Sequence, residues 1–187
     1  MQHHCKKVID GLKLKYQSFK WTNKSSGKDA VTYLLTDKDE RMYVKVSSGN
    51  LIKNQVDMLL YLEGRLPVPK VIEYDVGCEY GYVIMSEIKG VNFKEYLSCI
   101  TPKRAVEIYA DAYGIISESG ITHGDFCPLN IIIGEGEKIA GFVDFEKGAK
   151  CKSGRDLDES VFIINRHYGK QYVKYFFQLI GGNQHEI

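Results

Sequence analysis

Over much of the first half of the chain, apolar and polar positions alternate in short runs, the mark of half-buried strands. From Arg41 to Val46, Met42, Val44 and Val46 fall on one face while Tyr43 and Lys45 fall on the other. Similar runs start at Phe19-Lys20-Trp21 and cover Ala30 to Leu35, Val71 to Val76 and Tyr82 to Met85, predicting a five-stranded antiparallel sheet. Lys24 to Lys28 and Asp37 to Glu40 read as the loop and turn between the first three strands. A three-to-four-residue apolar period replaces the alternation from Leu51 to Glu63, where Ile52, Val56, Leu59 and Leu60 share a helical stripe. Gly64 stops that helix, and Pro67-Val68-Pro69 forces an extended exit. A short helix from His3 to Leu14 precedes the sheet. After a crossing at Ser86 to Gly90 the pattern turns mainly helical, at Lys103 to Glu118, Leu157 to Tyr168 and Gln171 to Ile180, with Gly181-Gly182-Asn183 as the stop. No internal repeat and no low-complexity segment interrupts it.

The chemistry is concentrated in His123-Gly124-Asp125-Phe126-Cys127-Pro128-Leu129-Asn130, followed by the apolar run Ile131 to Ile133, a Gly- and Glu-rich turn, and Ile139 to Val143 leading into Asp144. A lone His-Gly-Asp occurs by chance, and each of the three polar residues could serve as a turn or cap. Their combination is more specific, because a hairpin would return the second Asp to the end where the loop lies. That spacing suits phosphoryl transfer: one carboxylate orients an acceptor hydroxyl, while an amide oxygen and a second carboxylate hold the magnesium that bridges ATP phosphates. Mg²⁺ accepts a few hard oxygen ligands alongside several waters. Lys45, upstream of a helix and downstream of a loop, stands where a kinase places its phosphate-binding lysine, although a solvated strand face would also carry one. Ser25, Ser26 and Gly27 offer hydroxyl and backbone donors to a phosphate or form an ordinary solvated turn; both readings stay open, since neither a Gly-x-Gly-x-x-Gly loop nor a Walker motif is present.

Composition narrows the class. With 187 residues the chain can bury a real core as one domain or two small lobes. The net charge of +1 comes from interspersed basic and acidic residues, so no basic face is offered to nucleic acid. No apolar run reaches the length of a membrane span, and the first residues lack the apolar core of a signal peptide. Five scattered cysteines without a Cys-x-x-Cys pair argue against zinc and against a disulfide framework, and fit reduced thiols in a cytoplasmic protein. Cys127, inside the presumed catalytic loop, has no evident task.

Together these residues resemble the aminoglycoside phosphotransferases, within the wider protein-kinase-like fold. Asp57 to Val71 is similar to the helix and following strand of the 3′-phosphotransferases, Met85-Ser86-Glu87 with Gly90 to their hinge, and His123 to Asn130 and Gly141 to Asp144 to their active-site motifs. The resemblance implies an α+β, bilobal fold: an N-terminal nucleotide-binding lobe over 1–88, with the five-stranded antiparallel sheet and a helix, and a mainly helical catalytic lobe over 89–187. It implies that Asp125 is the catalytic base or hydroxyl-orienting carboxylate, that Asn130 and Asp144 bind Mg²⁺, and that Lys45 binds the α and β phosphates of ATP. Tyr43 would stack on adenine and the backbone at Ser86, Glu87 and Ile88 would pair with its edge. His123 would brace the loop.

Two departures qualify that inheritance. The family's helix carries a Glu that pairs with the strand lysine, and Gln55 stands at the matching position, able to hydrogen-bond Lys45 but without charge. The chain is also short: only the helix near Lys103 to Glu118 separates the hinge from Ile121, where the resistance enzymes insert further helices, and the end beyond Ile180 is abbreviated. Much of the acidic wall that receives a cationic antibiotic has no counterpart, although Glu146, Asp158 and Glu159 lie near the right end of the chain. The expected activity is therefore an ATP-dependent phosphotransferase, acting on a small-molecule hydroxyl that is aminoglycoside-like by resemblance, as antibiotic resistance enzymes do. The alternatives are a nucleotide-binding pseudokinase that regulates a partner, a minimal kinase with a non-antibiotic acceptor, and, as a minority reading, phosphorylation of a protein.

Overall fold

The structure, a computed structural model, describes residues 2–26 and 30–181. The chain forms two compact units: residues 1–63 with 68–87, and residues 64–67 with 88–187. In the first unit α1 (Gln2–Lys15) is followed by β1 (Lys20–Ser26), β2 (Ala30–Asp37) and β3 (Glu40–Ser48), then α2 (Gly49–Leu62), β4 (Val71–Asp75) and β5 (Tyr80–Ser86). All the pairings are antiparallel, in the order β1-β2-β3-β5-β4. The alternation along β3 is realised: Met42, Val44 and Val46 pack with Leu35, Ile84 and, from α1, Ile9 and Leu12. The other helix, α2, packs against β3, β4 and β5 and buries Ile52, Val56 and Leu59.

One expectation is corrected here. The composition from Lys24 predicts a loop, but β1 continues through Ser26, with Ser25 opposite Thr32 and Ser26 opposite Val31. A register shift between Asn23 and Ser25 absorbs one residue and lets the ladder resume. Pattern reasoning misses this because β1 is an edge strand, almost wholly exposed, and carries no apolar alternation. Gly27 and Lys28 of the expected loop, and Gly182 and Asn183 of the expected stop, lie outside the described residues.

The second unit contains β6 (Val91–Asn92), α3 (Phe93–Tyr96), α4 (Pro102–Glu118), β7 (Ile131–Ile133), β8 (Ile139–Phe142), α5 (Arg155–Tyr168) and α6 (Lys170–Leu179). Thr101 caps α4, its hydroxyl accepting from the Arg104 N–H, and Pro102 occupies the first turn where a missing N–H costs nothing. The antiparallel β6-β7-β8 sheet carries a two-residue strand too short to leave a sequence signal. An aromatic core binds the unit: Tyr109 of α4 packs with Phe93, Phe126 and Phe176, and Phe126 with Phe142. Phe93, Phe126, Phe142 and Phe176 are all fully enclosed. Among the described residues no helix is long and apolar enough to cross a membrane.

In the first unit, the end of α1 is stapled to the sheet by one carboxylate. Glu73 on β4 accepts from Lys15 Nζ, Tyr16 Oη and Tyr82 Oη, each at 2.6 Å. Those bonds, led by the one from Lys15, lower its pKa from 4.5 to about 2, while Tyr16 is pushed up to about 12. Because the folded pKa of Glu73 lies below the unfolded value, its contribution is present above about pH 4.5 and is lost as the pH falls toward about 2. Glu73→Gln should therefore lower Tm at neutral pH, by about 2–4 °C for each kcal/mol lost in a chain of this size. It should also flatten the loss of stability between pH 4.5 and 2. Thermal scans across that range check both, and an unchanged acid limb would remove Glu73 as its source.

Candidate active site

The loop that carries Asp125 is held from both directions by groups remote in sequence. Asp156, in the first turn of α5, is only 4% exposed, and its carboxylate accepts the N–H groups of His123 at 2.6 Å and Gly124 at 2.9 Å. Glu159, one turn further on, accepts the Phe126 N–H at 2.9 Å. From α4, Tyr109 Oη donates to the Phe126 carbonyl at 2.6 Å. Gly124 has φ +82°, and a Cβ there would stand 2.1 Å from the Lys147 carbonyl oxygen, so the residue before Asp125 must be glycine. The approach of Lys147 also sets its ammonium 3.5 Å from Asp125 Oδ2.

His123 is fully buried, its ring 4.4 Å from that of Phe145. Its Nε2 lies 3.0 Å from the Val143 carbonyl, which can only accept, so Nε2 carries the proton, and the buried Nδ1 has no partner. Burial lowers its pKa, against the pull of the Asp156 charge. A neutral imidazole whose one N–H is committed to the backbone acts here as a brace between the loop and the strand leading to Asp144.

The hairpin sets Asn130 opposite the residue before Asp144. Ile131 pairs with Phe142, so the residues just outside the ladder are Asn130 and Val143, and the Val143 N–H donates to the Asn130 carbonyl at 3.0 Å. Asp144 follows with φ +69°, a conformation that costs a non-glycine residue free energy and is concentrated at functional sites. The Asn130 side chain donates through Nδ2 to the Asp125 carbonyl at 2.8 Å. That bond fixes the amide plane and leaves its oxygen as the ligand-type atom. One amide oxygen and one carboxylate fit Mg²⁺, which takes few protein ligands. Among the described residues no cluster of three His, Cys, Asp or Glu side chains could hold a metal.

In the first unit Lys45 is 6% exposed on β3 and pairs with Val83, while Tyr43 pairs with Met85. Thr32 lies opposite Lys45 and Ser25 opposite Thr32, so it is Ser25 that shares the cross-strand row of Lys45. Ser26 falls in the row of Val31 and Val46, and its hydroxyl accepts from Asn23 Nδ2 at 2.8 Å. At the end of β5 the Ser86 N–H donates to the Lys70 carbonyl and its Oγ accepts the Lys70 N–H, both at 2.9 Å. The Glu87 carboxylate is tied to Arg41 by two bonds of 2.6 and 2.9 Å. Gln55 on α2 is fully buried, yet neither its Oε1 nor its Nε2 has a hydrogen-bond partner, so it makes no bond to Lys45.

The expected residues thus form two sets: Asp125, Asn130 and Asp144 in the second unit, and Lys45 and Tyr43 with the buried Gln55 in the first. Sequence reasoning missed Asp156 and Lys147. For Asp156 a signal existed: Asp156, Ser160 and Ile164 are four residues apart and all buried, so an acid sits on the core stripe of a helix, where it must be paired.

No protein-family model matches the chain. Curated relatives do: an aminoglycoside 3′-phosphotransferase of Enterococcus faecalis is 24% identical, covering 94% of this chain and 89% of that protein. One of Staphylococcus aureus is 21% identical, over 94% and 92%. Among solved structures, the aminoglycoside phosphotransferase APH(3″)-Id of Streptomyces rimosus matches with a TM-score of 0.68 at 14% identity, over 95% of this chain and 92% of that one. The resemblance read from the motifs therefore extends along nearly the whole chain, and the fold is protein-kinase-like. The two sequence alignments run to 243 and 242 residues against a chain of 187, so the relatives carry stretches with no counterpart here.

A buried amide without a partner forfeits its hydration, at a cost of about 1–3 kcal/mol. Gln55→Leu, which keeps the volume and removes the polar atoms, should raise Tm by about 2–4 °C per kcal/mol recovered. A fall in Tm by differential scanning fluorimetry would show instead that the amide is satisfied in solution.

Proposed function

We propose that this protein is an ATP-dependent phosphotransferase that moves the γ-phosphoryl group of Mg-ATP to a hydroxyl of a small molecule, with aminoglycosides the first acceptors to test. One observation carries the reading. The hairpin register sets Asn130 opposite Val143, the residue before Asp144, and one side-chain bond ties Asn130 to the Asp125 carbonyl, which supports a hard-cation site beside Asp125.

Asp125 orients the acceptor hydroxyl and receives its proton as the bond to phosphorus forms. Asn130 and Asp144 hold the magnesium ion, whose charge, when bound, offsets that of the phosphates. Lys45 takes the α and β phosphates, Ser26 helps to cover them, and Tyr43 stacks on adenine. The main chain from Ser86 through Glu87 to Ile88 carries the adenine contacts. Positioning and charge stabilisation supply nearly all of the rate enhancement in such a site. Lys147 stands beside Asp125 and keeps a cation next to the reacting hydroxyl.

The unpartnered Gln55 favours a second reading, a nucleotide-binding module of low or absent turnover. The two readings part on ADP release in Mg-ATP, measured with and without a panel of aminoglycosides and with Asp125→Ala as the blank. Acceptor-stimulated release that disappears in the variant supports the antibiotic kinase, and release indifferent to the panel keeps the kinase with another acceptor. Magnesium-dependent protection by ATP against heat in both proteins, with turnover in neither, supports the module.

Gln55→Glu should raise ATP affinity or turnover, because it offers Lys45 a charge-assisted partner where Gln55 makes no bond at all. Unchanged kinetics would remove Gln55 as the reason for weak turnover.

A further inference from the structure

We propose that Glu159 is a positioning residue for Asp125, fixing through the Phe126 N–H the peptide plane that follows the catalytic carboxylate. The inference rests on the phosphotransfer reading above and adds a residue that the loop motif does not contain.

Main-chain groups on both sides of Asp125 have specific partners. The N–H groups before it, on His123 and Gly124, go to Asp156. The peptide after it is gripped at both ends: the Asp125 carbonyl accepts from Cys127 N at 3.0 Å and from Asn130 Nδ2 at 2.8 Å, and the Phe126 N–H donates to Glu159 Oε2 at 2.9 Å. Asp156 and Glu159 are three residues apart on α5, so one helix face delivers both carboxylates to the loop. With that peptide plane pinned, rotation of the Asp125 main chain is restrained.

The arrangement works against electrostatics. Burial raises the Glu159 pKa, the Asp125 and Asp156 charges raise it further, and Arg155 and the Phe126 N–H lower it. Any acceptor at this point would satisfy the Phe126 N–H, and a carboxylate is the costly choice. A charged acceptor does make the stronger and more directional bond, which is what holding Asp125 in register requires. Glu159→Gln keeps an oxygen acceptor, whereas Glu159→Ala leaves the N–H without one.

The experiment uses the full chain and two readouts. In the first, ADP release with Mg-ATP and the aminoglycoside neomycin is compared for the native protein, Glu159→Ala and Glu159→Gln. The expected result is a loss in kcat of about 10²-fold in Glu159→Ala, the scale of a roughly 1 Å misplacement. The KM for ATP should stay unchanged, and Glu159→Gln should recover most of the loss. A native kcat in Glu159→Ala overturns the proposal, as does an equal loss in both variants. The second readout, amide hydrogen exchange resolved at residues 123–127, does not depend on turnover. Protection at Phe126 should vanish in Glu159→Ala and persist in Glu159→Gln, while His123 and Gly124 keep theirs in both. If the native protein is inactive with neomycin, the acceptor reading fails and the exchange readout alone decides. A Phe126 amide that exchanges freely in the native protein, or that stays protected in Glu159→Ala, overturns the positioning role.

Discussion

Two short hydrogen bonds from main-chain N–H groups to a buried carboxylate are the constraint on which the second unit depends. The loop from His123 to Asn130 has no regular structure until its last three residues, so its backbone polar groups need partners of their own. Asp156 supplies the first two from a helix that begins more than thirty positions later, near the positive end of the helix dipole, where a carboxylate is favoured. Once the loop is anchored, Asn130 can tie back to the Asp125 carbonyl. The β7–β8 register then sets Val143, the residue before Asp144, against Asn130. Three residues that no helix or strand holds in common are thus related by a chain of named bonds. The aromatic core around Phe126 excludes the water that would compete for them.

The first unit solves a different problem. A lysine in the middle of a sheet has to be held extended without being solvated, and β3 does this by sitting between β2 and β5 with α1 packed on its apolar face. The long stem of Lys45 is covered, in the way long cationic side chains commonly lie along apolar surface. On α2 the neutral amide of Gln55 is buried and uses neither of its polar atoms.

Much of this was legible in the sequence because the physics is local. Alternation along β3 placed Met42, Val44 and Val46 correctly, and the Gly64 stop, the Pro102 start and the β7–β8 hairpin all follow from residues within a few positions of each other. Features without local signature were lost: the exposed edge strand through Ser26, the two-residue β6, and the approach of Lys147 to Asp125. Asp156 lies between these cases. Its burial could be inferred from the stripe it shares with Ser160 and Ile164, but what it bonds to is decided by tertiary packing. The relatives also carry stretches without counterpart in this chain, as the length of the alignments shows.

Residues 64–67 give the molecule an unexpected seam. They follow directly on α2, yet they fold with the second unit: the Pro67 carbonyl accepts the Phe142 N–H at 2.9 Å, and Gly141 lies so close that a Cβ would stand 2.4 Å from the same oxygen. The polypeptide therefore passes from one unit to the other three times, at 63–64, 67–68 and 87–88. No single cut yields two whole modules. A fragment ending at residue 87 would carry away four residues that β8 needs, and one starting at 88 would expose the Phe142 amide. During synthesis those four residues emerge some seventy positions ahead of the strand that receives them, so the second unit cannot close until the ribosome has passed β8.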